Sequence, residues 1–168
     1  MKFVLLVEGD TEKKVLAALF KRWIDPRLAQ PVGVKVVKCE GWPELIKESP
    51  KKARMHLEDE DVIAVFAILD LYGPTIYPNG VRNVSERYKW AKSHLEGKVG
   101  DTRFHQHFAV HETEAWLFSN LNLFPGPIKT ALPAGVEKPE EINFDEPPSK
   151  LLEKLYKEKN RPPIQEAC

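Results

Sequence analysis

The sequence predicts an α/β fold: an open, mostly parallel sheet of about four strands with helices on both faces. Four short apolar runs alternate with segments of helical periodicity, the pattern of repeated βα units. The clearest runs are continuously apolar, which suits strands covered on both faces. Two of them stop abruptly at an acid, at Val7-Glu8 and at Leu69-Asp70.

Phe3 to Val7 reads as a central strand ended by Glu8-Gly9. From Thr11 to Trp23, Val15, Leu16, Leu19, Phe20 and Trp23 recur at helical spacing, with Asp10 placed to cap and Glu12 in the first turn to complement the dipole. Val32 to Val37 is short and β-branched, a second strand. The charged, Pro-interrupted stretch from Trp42 to Glu60 carries one or two modest helices. Val62 to Leu69 is the most apolar window and marks the sheet's centre; it ends at Asp70. A turn-rich loop, Gly73 to Gly80, precedes a helix marked by Val81, Val84, Tyr88, Ala91 and Leu95 that stops at Gly97. Phe104 to Val110 is a further strand, running into a short helix across Glu114 to Phe118. Beyond Asn120 the composition changes: eight of the fourteen prolines lie in the last third, and only Ser149 to Lys159 reads as helical. Residues 1–120 are therefore expected to form the α/β core and 121–168 a C-terminal extension packed on it.

A chain of 168 residues is long enough for one core, burying about 70% of the surface its unfolded form exposes. Lys+Arg and Asp+Glu both number 25, so the formal net charge is zero and no whole-molecule basic field announces a nucleic-acid binder. Any such contact has to be local or shared with a partner. Cys39 and Cys168 match no zinc spacing and are too few for a disulfide framework. The N-terminal run is too short for a signal peptide and no run approaches a membrane span. A cytoplasmic protein with no membrane partner is the expectation.

Ligands of open parallel sheets bind beyond the carboxyl ends of the strands, and three acids stand where strands are predicted to end: Glu8, Asp70 and Glu114. Mg²⁺ and Mn²⁺ take hard oxygen ligands and keep several waters, so two or three carboxylates suffice while substrate phosphates supply the rest. Converging, these acids would serve phosphodiester chemistry; taken singly, each has a plainer reading as a helix cap. Two residues after Asp70, where a second carboxylate would share the ion, stands Tyr72, which either contacts a phosphate or packs under the following loop. Glu112 and Glu114 are also two apart: both face the site if the segment is extended, and only one if it is helical, Glu114 being the preferred ligand. His111-Glu112 is no zinc helix, because Ala115 stands where the second His is needed. His111, His105 and His107 remain open as phosphate contacts, proton donors or structural residues. Gly9 allows a backbone N–H to approach a phosphate at a helix start. No GxxxxGK[ST] sequence is present. Arg82, Arg87, Lys89 and Lys92 either track a nucleic-acid backbone or form a solvated helix face.

Glu8-Gly9 after the first strand, an Asp ending a later strand and acids after the next resemble the Toprim domain of topoisomerases, primases and OLD-type nucleases. More closely, Val7 to Glu12, Leu69 to Pro74, and His111 to Phe118 resemble the signatures of a Toprim-like family of domains of unknown function, DUF4276. Pro139 to Asn143 with Pro148-Ser149-Lys150 resembles its later block. The resemblance implies a Mg²⁺- or Mn²⁺-dependent nuclease acting on DNA or RNA, with Glu8 as general acid or base, Asp70 as metal ligand, and Glu112 and Glu114 at a second ion. It further implies an ATPase partner of the kind found in defence systems; members of that family tend to run longer, with a further C-terminal helix that this chain is expected to lack. Tyr72 departs from the Toprim Asp-x-Asp pair, which leaves a catalytically weak binding module as the alternative.

Overall fold

A computed structural model describes residues 1–81, 83–110, 112–139 and 147–158. The chain divides into two compact units, one spanning Met1–Phe108 and one beginning at Ala109.

In the first unit β1 (Lys2–Val7), β2 (Gly33–Lys38), β3 (Val62–Asp70) and β4 (Phe104–Ala109) form one four-stranded sheet, all parallel, in the order β2-β1-β3-β4. β1 is central: Leu5 lies between Val36 of β2 and Phe66 of β3, and Val4 to Val7 are fully buried. Continuous apolar runs in β1 and β3 are explained by this position, because a strand flanked on both edges and covered on both faces has no wet side.

The connections are α1 (Asp10–Ile24), α2 (Trp42–Leu57) and α3 (Val84–Val99). Leu16 of α1 is buried and Phe20 meets the Phe66 ring at 5.7 Å. The His105 and His107 rings lie against the same Phe66, while Phe108 meets Tyr88 of α3 at 5.5 Å. Odd and even residues of a strand point to opposite faces, so α1 and α3 cover opposite sides of the sheet.

Several boundaries differ from expectation for identifiable reasons. Gly9 is the N-cap of α1 and offers no side chain; Asp10 is the first helical residue and pairs with Lys38 of β2 at 3.0 Å. The Trp42 to Glu60 stretch forms one helix that runs through Pro50. α3 starts at Val84, not Val81, because Asn83 and Glu86 close a capping box there. It also passes through Gly97 and ends at Gly100, whose φ of 72° supplies the left-handed turn that terminates a helix.

The second unit begins with a 3-10 helix, Thr113–Ser119, where the short helix was expected, then the short α4 (Gly126–Lys129) and α5 (Pro148–Glu158). Its own core gathers Phe118, Phe124, Ile128, Val136, Leu155 and Tyr156. The high helical amphipathicity of Leu151, Leu152, Leu155 and Tyr156 explains why α5 was legible in a Pro-rich stretch. Among the described residues, no helix is long and apolar enough to cross a membrane.

Candidate functional site

Strand order 2-1-3-4 reverses direction between β1 and β3: from β1 the chain leaves to one side through α1, and α2 carries it back across to the other. The carboxyl ends of β1 and β3 therefore flank the switch point, where neighbouring loops part and leave a crevice. Glu8 follows β1 and Asp70 ends β3. The structure brings them together: the Asp70 backbone N–H donates to Glu8 Oε1 at 2.9 Å.

Glu8 ties three elements at this edge. Its carboxylate accepts from the backbone N–H of Asp70 and from that of Trp42, the first residue of α2. Its own carbonyl accepts from Gly41 at 3.1 Å. Gly41 has φ 84° and ψ 175°, a conformation essentially reserved for glycine, and this turn aims the start of α2 at the carboxylate. Burial nevertheless dominates and raises the Glu8 pKa above the usual carboxylate range; the two N–H donors oppose that rise, and the nearby Glu12 charge adds to it. The side chain is thus partly desolvated, hydrogen-bonded on one side and destabilised as an anion by a second acid.

Glu12 and Trp42 belong to this edge, and sequence reasoning assigned neither to the site. Glu12 served there only as a dipole partner, since spacing across a strand, turn and helix has no fixed geometry. A Cβ at Gly9 would meet Glu12 Oε2 at 3.0 Å, which places that carboxylate beside the turn; the Gly9 φ of −142° is ordinary extended backbone. The Trp42 ring lies close to Gly73, where a Cβ would meet Cδ1 at 3.4 Å, and so borders the loop after Asp70.

That loop carries Tyr72, which is 45% exposed. Arg87, in the first turns of α3, lies with its guanidinium 5.8 Å from the Tyr72 ring and 5.1 Å from the Tyr77 ring. Lys92 instead pairs with Glu96 one turn along at 3.9 Å, and Lys89 is exposed, so those two behave as a solvated helix face. Arg82 and His111 lie outside the described residues, as do Glu140 to Asn143 of the later motif. His105 and His107 pack their rings on Phe66, a structural role at the sheet face.

Glu112 and Glu114 belong to the second unit, and the two alternatives for their segment divide between them. Glu112 is extended, with φ −143° and ψ 162°, and Glu114 lies in the first turn of the 3-10 helix. Glu112 Oε2 accepts from the Ser149 N–H at 2.8 Å, satisfying a donor in the first turn of α5. Its carboxylate is engaged as a helix cap.

Among the described residues no group of three or more His, Cys, Asp and Glu side chains is placed to hold a metal ion. A Mg²⁺ ion needs less when waters and phosphates complete its octahedron: one or two carboxylates suffice. Glu8 and Asp70, hard oxygen donors on adjacent strand ends, fit that smaller demand.

The model of the family described as "Domain of unknown function (DUF4276)" matches residues 7–165, nearly the whole chain, and the chain belongs to that family. No curated protein and no solved structure matches it.

Proposed function

We propose that this member of the DUF4276 family is a divalent-metal-dependent nuclease, related to the Toprim domain of OLD-type nucleases, that hydrolyses phosphodiester bonds in DNA or RNA. One observation carries the reading: a carboxylate with a raised pKa, Glu8, hydrogen-bonded to the backbone of a second acid, Asp70, at the switch point of a parallel sheet. Helix capping alone needs an acceptor at α2, not a second acid on the neighbouring strand.

In this reading Asp70 would hold the ion, with Glu8 beside it. A bound Mg²⁺ or Mn²⁺ supplies Lewis-acid polarisation of the phosphoryl oxygen and a lowered pKa for water. Glu8 takes a proton from the attacking water, a task that its raised pKa favours. The water oxygen forms a bond to phosphorus while the bond from phosphorus to the leaving sugar oxygen breaks, and Glu8 returns the proton to that oxygen. With a net charge of zero the chain recruits substrate through local contacts or a partner, an ATPase being the candidate that the Toprim resemblance suggests.

The test is Mn²⁺-dependent cleavage of plasmid DNA and structured RNA by wild type, Asp70→Asn and Glu8→Gln. Glu8→Gln keeps one acceptor oxygen at this position and removes the ionisable group. Cleavage lost in both variants, with folding intact, supports the proposal; equal rates in all three reject it. Glu114→Ala in the same assay tests the metal-ligand role expected of Glu114.

A second reading, a nucleic-acid or ATPase binding module without turnover, is favoured by Tyr72 standing where Toprim enzymes carry their second acid. Calorimetric Mn²⁺ titration separates the two. Binding abolished by Asp70→Asn supports the enzyme, and absence of any submillimolar site supports the module.

A further inference from the structure

We infer that the loop pocket following Asp70 is a phosphate-binding subsite for single-stranded nucleic acid, with Arg87 gripping a phosphate and Tyr72 offering its ring to the adjoining base. The choice of a polynucleotide as ligand rests on the nuclease reading; the anion-binding character rests on the pocket itself.

The pocket has a volume of about 400 Å³ and is lined by Tyr72, Pro74, Tyr77, Asn79, Val81 and Arg87, among others. That is the size of an ordinary small-ligand cleft, roughly 300–1,000 Å³. Arg87 is half-buried, its Nε is buried without a hydrogen-bond partner, and among the described residues no carboxylate pairs with it. Arginines taken out of solvent are ordinarily paired, so an arginine held here without an acid is a cation prepared for an anion from outside. The tyrosines stabilise its charge through their rings, and its buried Nε still has no hydrogen-bond partner among the described residues. A phosphate oxygen pair matches that planar fork in a way a lone carbonyl does not.

The surroundings hold the guanidinium still. Tyr77 is fixed at both ends: its hydroxyl donates to the Leu71 carbonyl at 2.6 Å, and its ring meets Trp90 edge-on at 6.2 Å. Pro74, between the two tyrosines, and Pro78, just after Tyr77, stiffen the loop. Tyr72, by contrast, is 45% exposed, so part of its ring faces solvent. Base stacking on an aromatic ring is sequence-tolerant and requires an unpaired base, which sets the substrate class as single-stranded. Tyr72 lies two residues beyond Asp70, so a strand gripped there is delivered to the acidic sheet edge.

The experiment is fluorescence anisotropy of short labelled oligothymidylate and oligouridylate in EDTA, where cleavage does not enter, with inorganic phosphate and a duplex of the same length as competitors. Arg87→Gln is expected to weaken strand binding at least tenfold, Arg87→Lys several-fold and Tyr72→Ala about fivefold, with Lys51→Gln, on the exposed side of α2, within twofold of wild type. Thermal melts establish that each variant is folded, and Arg87→Lys preserves the test should Arg87→Gln not fold. Equal binding by wild type and both Arg87 variants overturns the proposal, as does a duplex that competes as well as the single strand, or a pocket that takes inorganic phosphate and no strand. Arg87-dependent binding in a wild type that does not cleave leaves this subsite standing and removes the nuclease reading; Asp70-dependent cleavage with Arg87-independent binding does the reverse.

Discussion

Glu8 and Glu112 begin from the same local grammar, an acid just after a parallel strand, and end in different employment. Glu8 stands at the switch point between two central strands, with Asp70 and Trp42 donating to it, Glu12 close by, and burial raising its pKa. Glu112, past the edge strand β4, places its carboxylate on the Ser149 N–H and serves the first turn of α5. The acid after a strand is therefore an ambiguous signal. Its meaning depends on whether the neighbouring strand end contributes a second acid or the next helix contributes an orphan N–H.

That contrast is broken or sharpened by substitutions at the two places. The largest expected effect is at Asp70: Asp70→Asn should lower Mn²⁺-dependent cleavage by about a thousandfold or more, the scale on which a transition-state charge stabiliser acts. Glu8→Gln should lower the same rate by about 10²–10⁴, the usual worth of a general acid or base. Glu112→Gln should leave the rate within about twofold, and a loss equal to that of Glu8→Gln would dissolve the distinction between the sites.

Stability effects follow. Gly41→Ala forces a side chain into a glycine-only conformation and should cost about 1–3 kcal/mol in urea unfolding, with reduced activity because the turn sets the Trp42 N–H against Glu8. Glu112→Ala removes the cap of α5 and should cost about 0.5–2 kcal/mol without touching cleavage.

The smallest expected effect is the most diagnostic. Since burial penalises the charged form of Glu8, its folded pKa lies above the unfolded value, and the native state is favoured more when the group is protonated. The Glu8→Gln variant should melt about 1–3 °C above wild type at pH 7.5, the size of a fraction of a kcal/mol to one kcal/mol in a domain of this length. The gain should fade as pH falls through the folded pKa toward the unfolded one, where wild type also carries a neutral group. A variant that loses activity and gains stability marks an acid kept for function; one that loses both marks a structural tie between β1, β3 and α2.

Much of the architecture was written in local patterns. The apolar runs at Val4–Val7 and Val62–Leu69, the helical spacing of Leu16 and Phe20, and the amphipathic Leu151–Tyr156 stretch each report burial that neighbouring residues impose, and burial periodicity is a property of the chain itself. Membership of the DUF4276 family was legible because the segments that carry the resemblance, such as Val7 to Glu12 and Leu69 to Pro74, are contiguous in sequence. Asp10 was misread as a cap because a preceding glycine with no side chain can start a helix too, and Gly97 was misread as a stop because a glycine ends a helix only when its backbone turns left-handed, as Gly100 does.

What only the tertiary structure decided is which acids and cations meet. Pairing of β1 with β3 lets the Glu8 carboxylate accept from the Asp70 backbone N–H, Trp42 reaches Glu8 through the turn at Gly41, and Arg87 finds Tyr72 and Tyr77 through the fold-back of a loop onto α3. None of these contacts has a fixed sequence separation, because the intervening loops can vary in length at little free-energy cost. The residues that carry charge were therefore visible in the sequence. Their company, and with it the raised pKa of Glu8 and the placing of Arg87 beside two tyrosines, came from the packing of the sheet and its helices.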